Sequence, residues 1–233
     1  MKARIPCLLA RWAAITASIS ALLFSAAGTT HVVSIRRYLA VYSALLLVTM
    51  LTVDPRLAGE RAHPAHTGMD DGSRFAAGFL FLLTLTVAAF SVGHLRPILN
   101  VPLPIRAAAL LLMVLSSSLQ TWAMIVNPFF SPVVGLQPER GHHVIADGPY
   151  RFMRHPGYFA MSISVLASTL AVGSWAALVP AAGFVVAIQR RTQFEDEFLK
   201  KNLPGYIDYA GRVSLRLFPF WQLTRSSHVK DPA

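Results

Sequence analysis

Apolar and polar residues alternate along this chain in long blocks, with little of the three-to-four-residue rhythm of a soluble amphipathic helix. Five uncharged apolar runs stand out: 12–33, 38–53, 75–93, 107–126 and 157–189. Gly28 and the Thr29-Thr30 pair break the first, Asp54-Pro55 ends the second, and Asn127-Pro128 ends the fourth. A bilayer core takes about 20 helical residues, so the fifth run is too long for one crossing. Gly173-Ser174 and Pro180 interrupt it, which predicts a helical hairpin with arms near 158–172 and 174–188. The expected fold is all-α: a polytopic transmembrane helical bundle of five to six spans with a cytoplasmic C-terminal cap. Three regions follow, with N-terminal transmembrane helices over 1–127, a core over 128–223 and a polar tail over 224–233. The first run has basic residues ahead of it, as a signal peptide would, but its length favours a retained span.

Composition agrees with burial in lipid. Hydrophobic residues make up 54% of the 233 and charged residues 14%, with a mean hydropathy of +0.50. A soluble domain of this size needs more charge to cover its surface. The formal net charge of +10 sits mostly beside the apolar runs, which suits anionic headgroups and topology better than a basic face for nucleic acid. With six spans, 17 of the 21 Lys and Arg fall on the side that holds both termini and the loops around 54–74 and 128–156. Positive residues mark the cytoplasm, so a multi-pass protein with cytoplasmic termini and cytoplasmic loops around 54–74 and 128–156 is expected. The single cysteine, Cys7, excludes an internal disulfide and a cysteine metal cluster.

Two polar blocks bracket the fifth run. The first, Gly148-Pro-Tyr-Arg-Phe-Met-Arg-His-Pro-Gly-Tyr158, sets two arginines and a histidine between prolines. Asp147-Gly148-Pro149 predicts a tight turn, and Pro156-Gly157 a helix start. Arg151 and Arg154 either meet a carboxylate or anchor the loop to headgroups. The second block contains Glu195-Asp196-Glu197, four residues on from Arg191 and flanked by Phe194, Phe198 and Leu199. It is either a solvated helix face or a packed one that turns an acid toward the first block. Ser116, Gln120 and Asn127 share a face of the fourth run and either line a cavity or bond a neighbouring helix. His63, His66, Asp70 and Asp71 lie close together in a Gly-, Pro- and His-rich loop that reads as flexible; nothing there fixes four ligands, so no metal site is assigned. No Gly-rich strand-to-helix phosphate loop is present, and the serines near the spans lack a nucleophile elbow.

Taken together, Trp122, Asn127-Pro128-Phe129-Phe130, His142–Arg151, Arg154-His155-Pro156-Gly157-Tyr158, Glu195–Leu199, Gly205–Tyr209 and Arg216–Pro219 resemble the isoprenylcysteine carboxyl methyltransferase family and its relatives, the phospholipid methyltransferases. The likeness covers 121–221; the earlier spans match only in being apolar. It implies a membrane enzyme that uses S-adenosylmethionine without a Rossmann fold. Carried over, His142, Val144, Gly148, Tyr150, His155, Tyr158 and Asp196 would bind the cofactor, and Arg154 and Glu195 would lie nearest the transferred methyl and the acceptor. The family's usual Glu-Glu pair is Glu195-Asp196 here, which shortens the reach of the second acid. The acceptor implied is lipophilic, foremost the carboxylate of an isoprenylcysteine-like, prenylated substrate. A phospholipid amine is the alternative, and a non-catalytic scaffold that binds membrane lipids is the reading from another class. No nucleic-acid partner is expected.

Overall fold

A computed structural model describes residues 4–54, 71–95, 101–131 and 133–218. His63, His66 and Asp70 fall outside them. Among the described residues the chain is helical, with no strand. Its helices are α1 (Arg4–Ala27), α2 (Val33–Thr52), α3 (Asp71–His94), α4 (Leu103–Val126), α5 (Pro156–Val172), α6 (Leu178–Asn202) and α7 (Tyr206–Arg212).

The first four are each long and apolar enough to cross a membrane. They run past the uncharged segments: α2 takes in Arg36 and Arg37, and α4 starts at Leu103 with Pro104 in its first turn. Proline there loses no hydrogen bond, because the first N–H groups of a helix have no partner within it, and a terminal arginine keeps its head group in the interface. Large apolar side chains such as Val48, Leu51, Phe79, Leu111, Leu115 and Ile125 are exposed on the protein surface, as lipid-facing positions are. The protein is integral to the membrane.

The fifth run folds as the expected hairpin. Helix α5 ends at Gly173, whose φ of 109° only glycine adopts readily, and Ser174 Oγ accepts from the backbone N–H of Ala177. Pro180 does not break the second arm. It sits in the first turn of α6, again among N–H groups without a helical partner. Helix α6 then continues unbroken through the second polar block. At 17 residues α5 is the short member, about 25 Å at 1.5 Å per residue.

This short helix is the hub of the bundle and packs on α2, α3, α4 and α6. Its contacts are made by small residues, with Gly157, Ala160, Ser162, Ala167, Ser168, Thr169 and Ala171 all buried. Small side chains let helix backbones approach closely where lipid supplies no hydrophobic drive. Around them Leu23, Ile35, Tyr38, Leu85, Ala88 and Met113 form the core between α1 and α4, while Ala77, Phe184 and Ile188 fill the space between α3 and α6. Two contacts mark one end of the bundle, Gly93 against Ala27 and Gly173 against Arg106. At the other end meet the C-termini of α2 and α4, the N-terminus of α5 and the polar half of α6, where Val53, Met124 and Phe130 cluster.

Candidate active site

At that second end the chain after α4 folds back over the hairpin. The Asn127 side-chain oxygen accepts from Phe129 N at 2.9 Å, making a tight turn. Two short 3₁₀ turns follow, Pro138–Arg140 and Gly148–Arg151. Gly148 has a φ of 54°, and a Cβ there would lie 2.9 Å from Val126, so this turn both needs positive φ and presses on the end of α4. Pro156 then opens α5.

Between these turns, the N-terminus of α5 and the polar half of α6 lies a pocket of about 770 Å³, counting its open mouth. Seven of the nine residues expected from the sequence line it: His142, Val144, Tyr150, Arg154, His155, Tyr158 and Glu195. Gly148 and Asp196 do not; the glycine shapes the turn, and Asp196 is fully buried behind the wall. Phe129, Phe130, Leu199, Leu203, Tyr206 and Tyr209 complete much of the lining. The two tyrosines stand three apart on α7, a spacing visible in the sequence, but nothing local said that this helix of about two turns would fold under the pocket.

One wall is a chain of charged hydrogen bonds. Tyr158 donates its hydroxyl to Glu195 Oε2 at 2.7 Å and accepts from Arg191 Nε at 2.8 Å. The expected Arg191–Glu195 pairing along α6 is thus bridged by a tyrosine from α5. Leu199 and Phe198 are half-buried as a packed stripe requires, whereas Phe194 is exposed.

Behind that wall Arg154 grips Asp196, with Nε to Oδ1 at 2.8 Å and Nη2 to Oδ2 at 3.3 Å. Its Nη1 donates to the carbonyls of Ala210, Val213 and Ser214. Tyr206 donates to Asp196 Oδ1 at 3.0 Å, Lys200 Nζ lies 2.9 Å from Oδ2, and His155 Nε2 is 3.5 Å from Oδ1. Burial by itself would raise the carboxyl pKa of Asp196. Hydrogen bonds from His155 and Lys200, and the charges of His155 and Arg154, outweigh it and hold the acid well below the usual carboxylate range. Desolvation pushes the hydroxyls of Tyr150 and Tyr206 up, and that of Tyr209 up to about 12, so these tyrosines are neutral hydrogen-bonding groups. Tyr209 donates to the carbonyl of Tyr150 at 2.7 Å, and Asn127 Nδ2 donates to the Tyr150 hydroxyl at 3.2 Å. Ser116 bonds the carbonyl of Met113 in its own helix.

His142 packs against Phe129 with ring centroids 4.4 Å apart and the planes tilted by 30°. Its Nδ1 accepts from Gln137 N at 3.3 Å, so the neutral ring carries its proton on Nε2. Desolvation, then the charges of His143 and Arg140, lower its pKa.

The site thus joins flat aromatic surface, a carboxylate held by a tyrosine, and a neutralised arginine at the end of a membrane hairpin. The comparison with known proteins fits this chemistry. Residues 105–204 match the phospholipid methyltransferase family. This is a family of membrane methyltransferases related to the isoprenylcysteine carboxyl methyltransferases. The phospholipid methyltransferase match runs from the start of α4 to just beyond α6, so it contains both polar blocks and the hairpin between them. No curated protein matches the chain.

Proposed function

We propose that the protein is an S-adenosylmethionine-dependent methyltransferase that acts on a lipophilic acceptor, with 128–223 as its catalytic portion. The observation that carries this reading is the shared pocket: Glu195 from the second polar block and Tyr158, His155 and Arg154 from the first line one hollow. Its chemistry suits this cofactor, because Phe129, His142 and Tyr158 offer aromatic faces and Glu195 offers negative charge to a sulfonium. When bound, the cofactor supplies an activated methyl group, and the displacement needs no covalent help from the protein.

The chain's own residues then have three tasks. The aromatic lining holds flat surface and keeps water out. Tyr158 fixes Glu195 in one orientation, so that acceptor and methyl can be aligned rather than left to diffuse. Glu195 takes or orients a proton where the acceptor bears one.

The acceptor decides between two forms of this reading. A carboxylate acceptor, as on an isoprenylcysteine, calls for a cation to orient it, and Arg154 is the residue that the family likeness offers. Its guanidinium is already engaged by Asp196 and three carbonyls. That commitment favours the second form, an amine acceptor such as a phospholipid amine, for which Glu195 serves as base. The excess of basic residues around the pocket-side loops supports a cytoplasmic placement, where a soluble cofactor is at hand.

The test is transfer of tritium from methyl-labelled S-adenosylmethionine, with purified protein in vesicles, to phosphatidylethanolamine and to a prenylcysteine analogue in parallel. Labelled amine lipid is the expected product. Labelled prenylcysteine would restore the carboxylate form, and no cofactor binding at millimolar concentration would overturn the enzyme reading.

A further inference from the structure

Asp196 has no surface in the pocket, yet more of the surrounding structure converges on it than on any pocket-lining acid. It is fully buried and meets Arg154, His155, Tyr206 and Lys200. Through Arg154 its influence reaches the segment that leaves α7. Besides the three carbonyls bound by Nη1, the backbone N–H of Arg154 donates to Leu215 O at 2.9 Å, and that of His155 donates to Arg216 O at 3.2 Å. Phe218 packs against Phe159 of α5 with centroids 5.5 Å apart. The result is a strap: the acidic helix holds the arginine, the arginine and the backbone of His155 hold 210–216, and α7 is thereby pinned with Tyr206 and Tyr209 facing the pocket.

A shorter acid fits this role. Two hydrogen bonds to a guanidinium rooted in α5's N-terminal loop fix the spacing between that loop and α6, and bidentate pairing of this kind tolerates little change in reach.

We propose that Asp196 is a positioning residue which, through Arg154, latches the 206–218 strap beneath the pocket without itself contacting the methyl donor or acceptor. The effect on donor binding rests on the function proposed above; the latch itself does not.

The experiment uses full-length protein in nanodiscs and the variants Asp196→Asn, Asp196→Glu and Arg154→Lys. Limited proteolysis within 206–218, without any ligand, reads the latch directly. Asp196→Asn leaves the buried guanidinium without its counter-charge, while Arg154→Lys keeps the charge but loses the two-pronged pairing and the bonds to the strap carbonyls, so both are expected to speed cleavage by about tenfold or more, with Asp196→Glu in between. Equilibrium dialysis of labelled S-adenosylmethionine is expected to show a Kd raised by a similar factor. For the two Asp196 variants, the rate at saturating donor and acceptor should change less than about threefold. Unchanged cleavage would overturn the latch. So would a rate at saturation reduced by about a hundredfold with Kd intact in Asp196→Asn, since that marks a group acting on the reacting atoms. If Asp196→Asn does not fold, Lys200→Met removes the exposed partner instead, with about two- to threefold faster cleavage expected and none counting against the proposal. A wild-type protein that binds no donor would defeat the function reading, while the cleavage arm would still decide the latch.

Discussion

The hydroxyl of Tyr158 joins two residues of α6 that the sequence pairs directly, donating to Glu195 at 2.7 Å and accepting from Arg191 at 2.8 Å. One oxygen atom therefore sets the position of an acid on the pocket wall, and it comes from the opposite arm of the hairpin. Tyr158→Phe keeps the ring and deletes that link. A hydrogen bond to a charged group contributes about 1.5–3 kcal/mol, so methyl transfer at saturating substrates should fall roughly ten- to a hundredfold. The lost bonds to Glu195 and to buried Arg191 should lower thermal stability by a comparable amount. A turnover assay beside a melting curve checks both, and an unaltered rate would show that Glu195 does not depend on this tether.

Gly157 carries the second prediction. A Cβ built there would sit 2.4 Å from the ring of Phe130, which lines the pocket and also touches Val53 and Met124 at the ends of α2 and α4. Gly157→Ala must therefore displace the ring, and overpacking of this kind costs about 1–3 kcal/mol. With the cluster behind it, the ring's freer side is the pocket. The expected outcome is a KM for the acceptor or the donor raised several-fold, with a smaller loss of stability. Phe130→Leu in the same background should recover much of the loss, and kinetics of the two variants together measure it.

The bundle was largely legible because its grammar is simple: uncharged runs of sufficient length, with Gly and Pro between them. Gly173-Ser174 marked the hairpin turn correctly, since a left-handed residue is needed there. Pro180 belongs to the same break, in the first turn of the second arm where a proline is tolerated, and the sequence alone did not show at which residue α6 began. The site was legible as two blocks, because Arg, His and acids beside a span need partners. The partners themselves were not. That Arg154 would bond Asp196 42 positions away and bind carbonyls at 210, 213 and 214 depends on how α7 folds back, which no local period encodes. The same holds for Tyr158 and Glu195, set apart by a complete helical hairpin and reunited by the geometry of its turn.

His142 gives a pH dependence with a defined sign. Desolvation, first, and the charges of His143 and Arg140 hold its pKa below the ordinary 6.5. In the window below 6.5 the unfolded chain then binds more protons at this position than the folded one, so stability rises with pH there and is lost as pH falls. Protonation at Nδ1 would also remove the acceptor for Gln137 N. Melting temperatures from pH 7.5 down to 5 should fall less steeply for His142→Gln than for the unaltered protein. Parallel slopes would show that this ring titrates normally. Asp196 adds nothing in that range, since its pKa is pushed the other way, below ordinary carboxylate values, and its contribution stays in place until the solution is far more acidic.

The last prediction separates folding from chemistry at the end of the bundle away from the pocket. A Cβ on Gly93 would lie 2.2 Å from the carbonyl oxygen of Ala27, where α1 and α3 meet backbone to backbone. No side-chain rotation relieves such a contact, because the obstacle is main chain, so Gly93→Ala has to push the helices apart. The cost should reach about 1–3 kcal/mol or more. Gly78, in the same helix, meets nothing within 4 Å, so Gly78→Ala serves as its control. There the substitution adds helix propensity and should leave stability unchanged or raise it by up to about 1 kcal/mol. Melting curves in one detergent compare the pair, and donor affinity per folded molecule should be equal in both. If Gly93→Ala were as stable as Gly78→Ala, α1 would not pack on α3 at Ala27, and a lowered affinity in the folded fraction would mean that the far end of the bundle shapes the pocket.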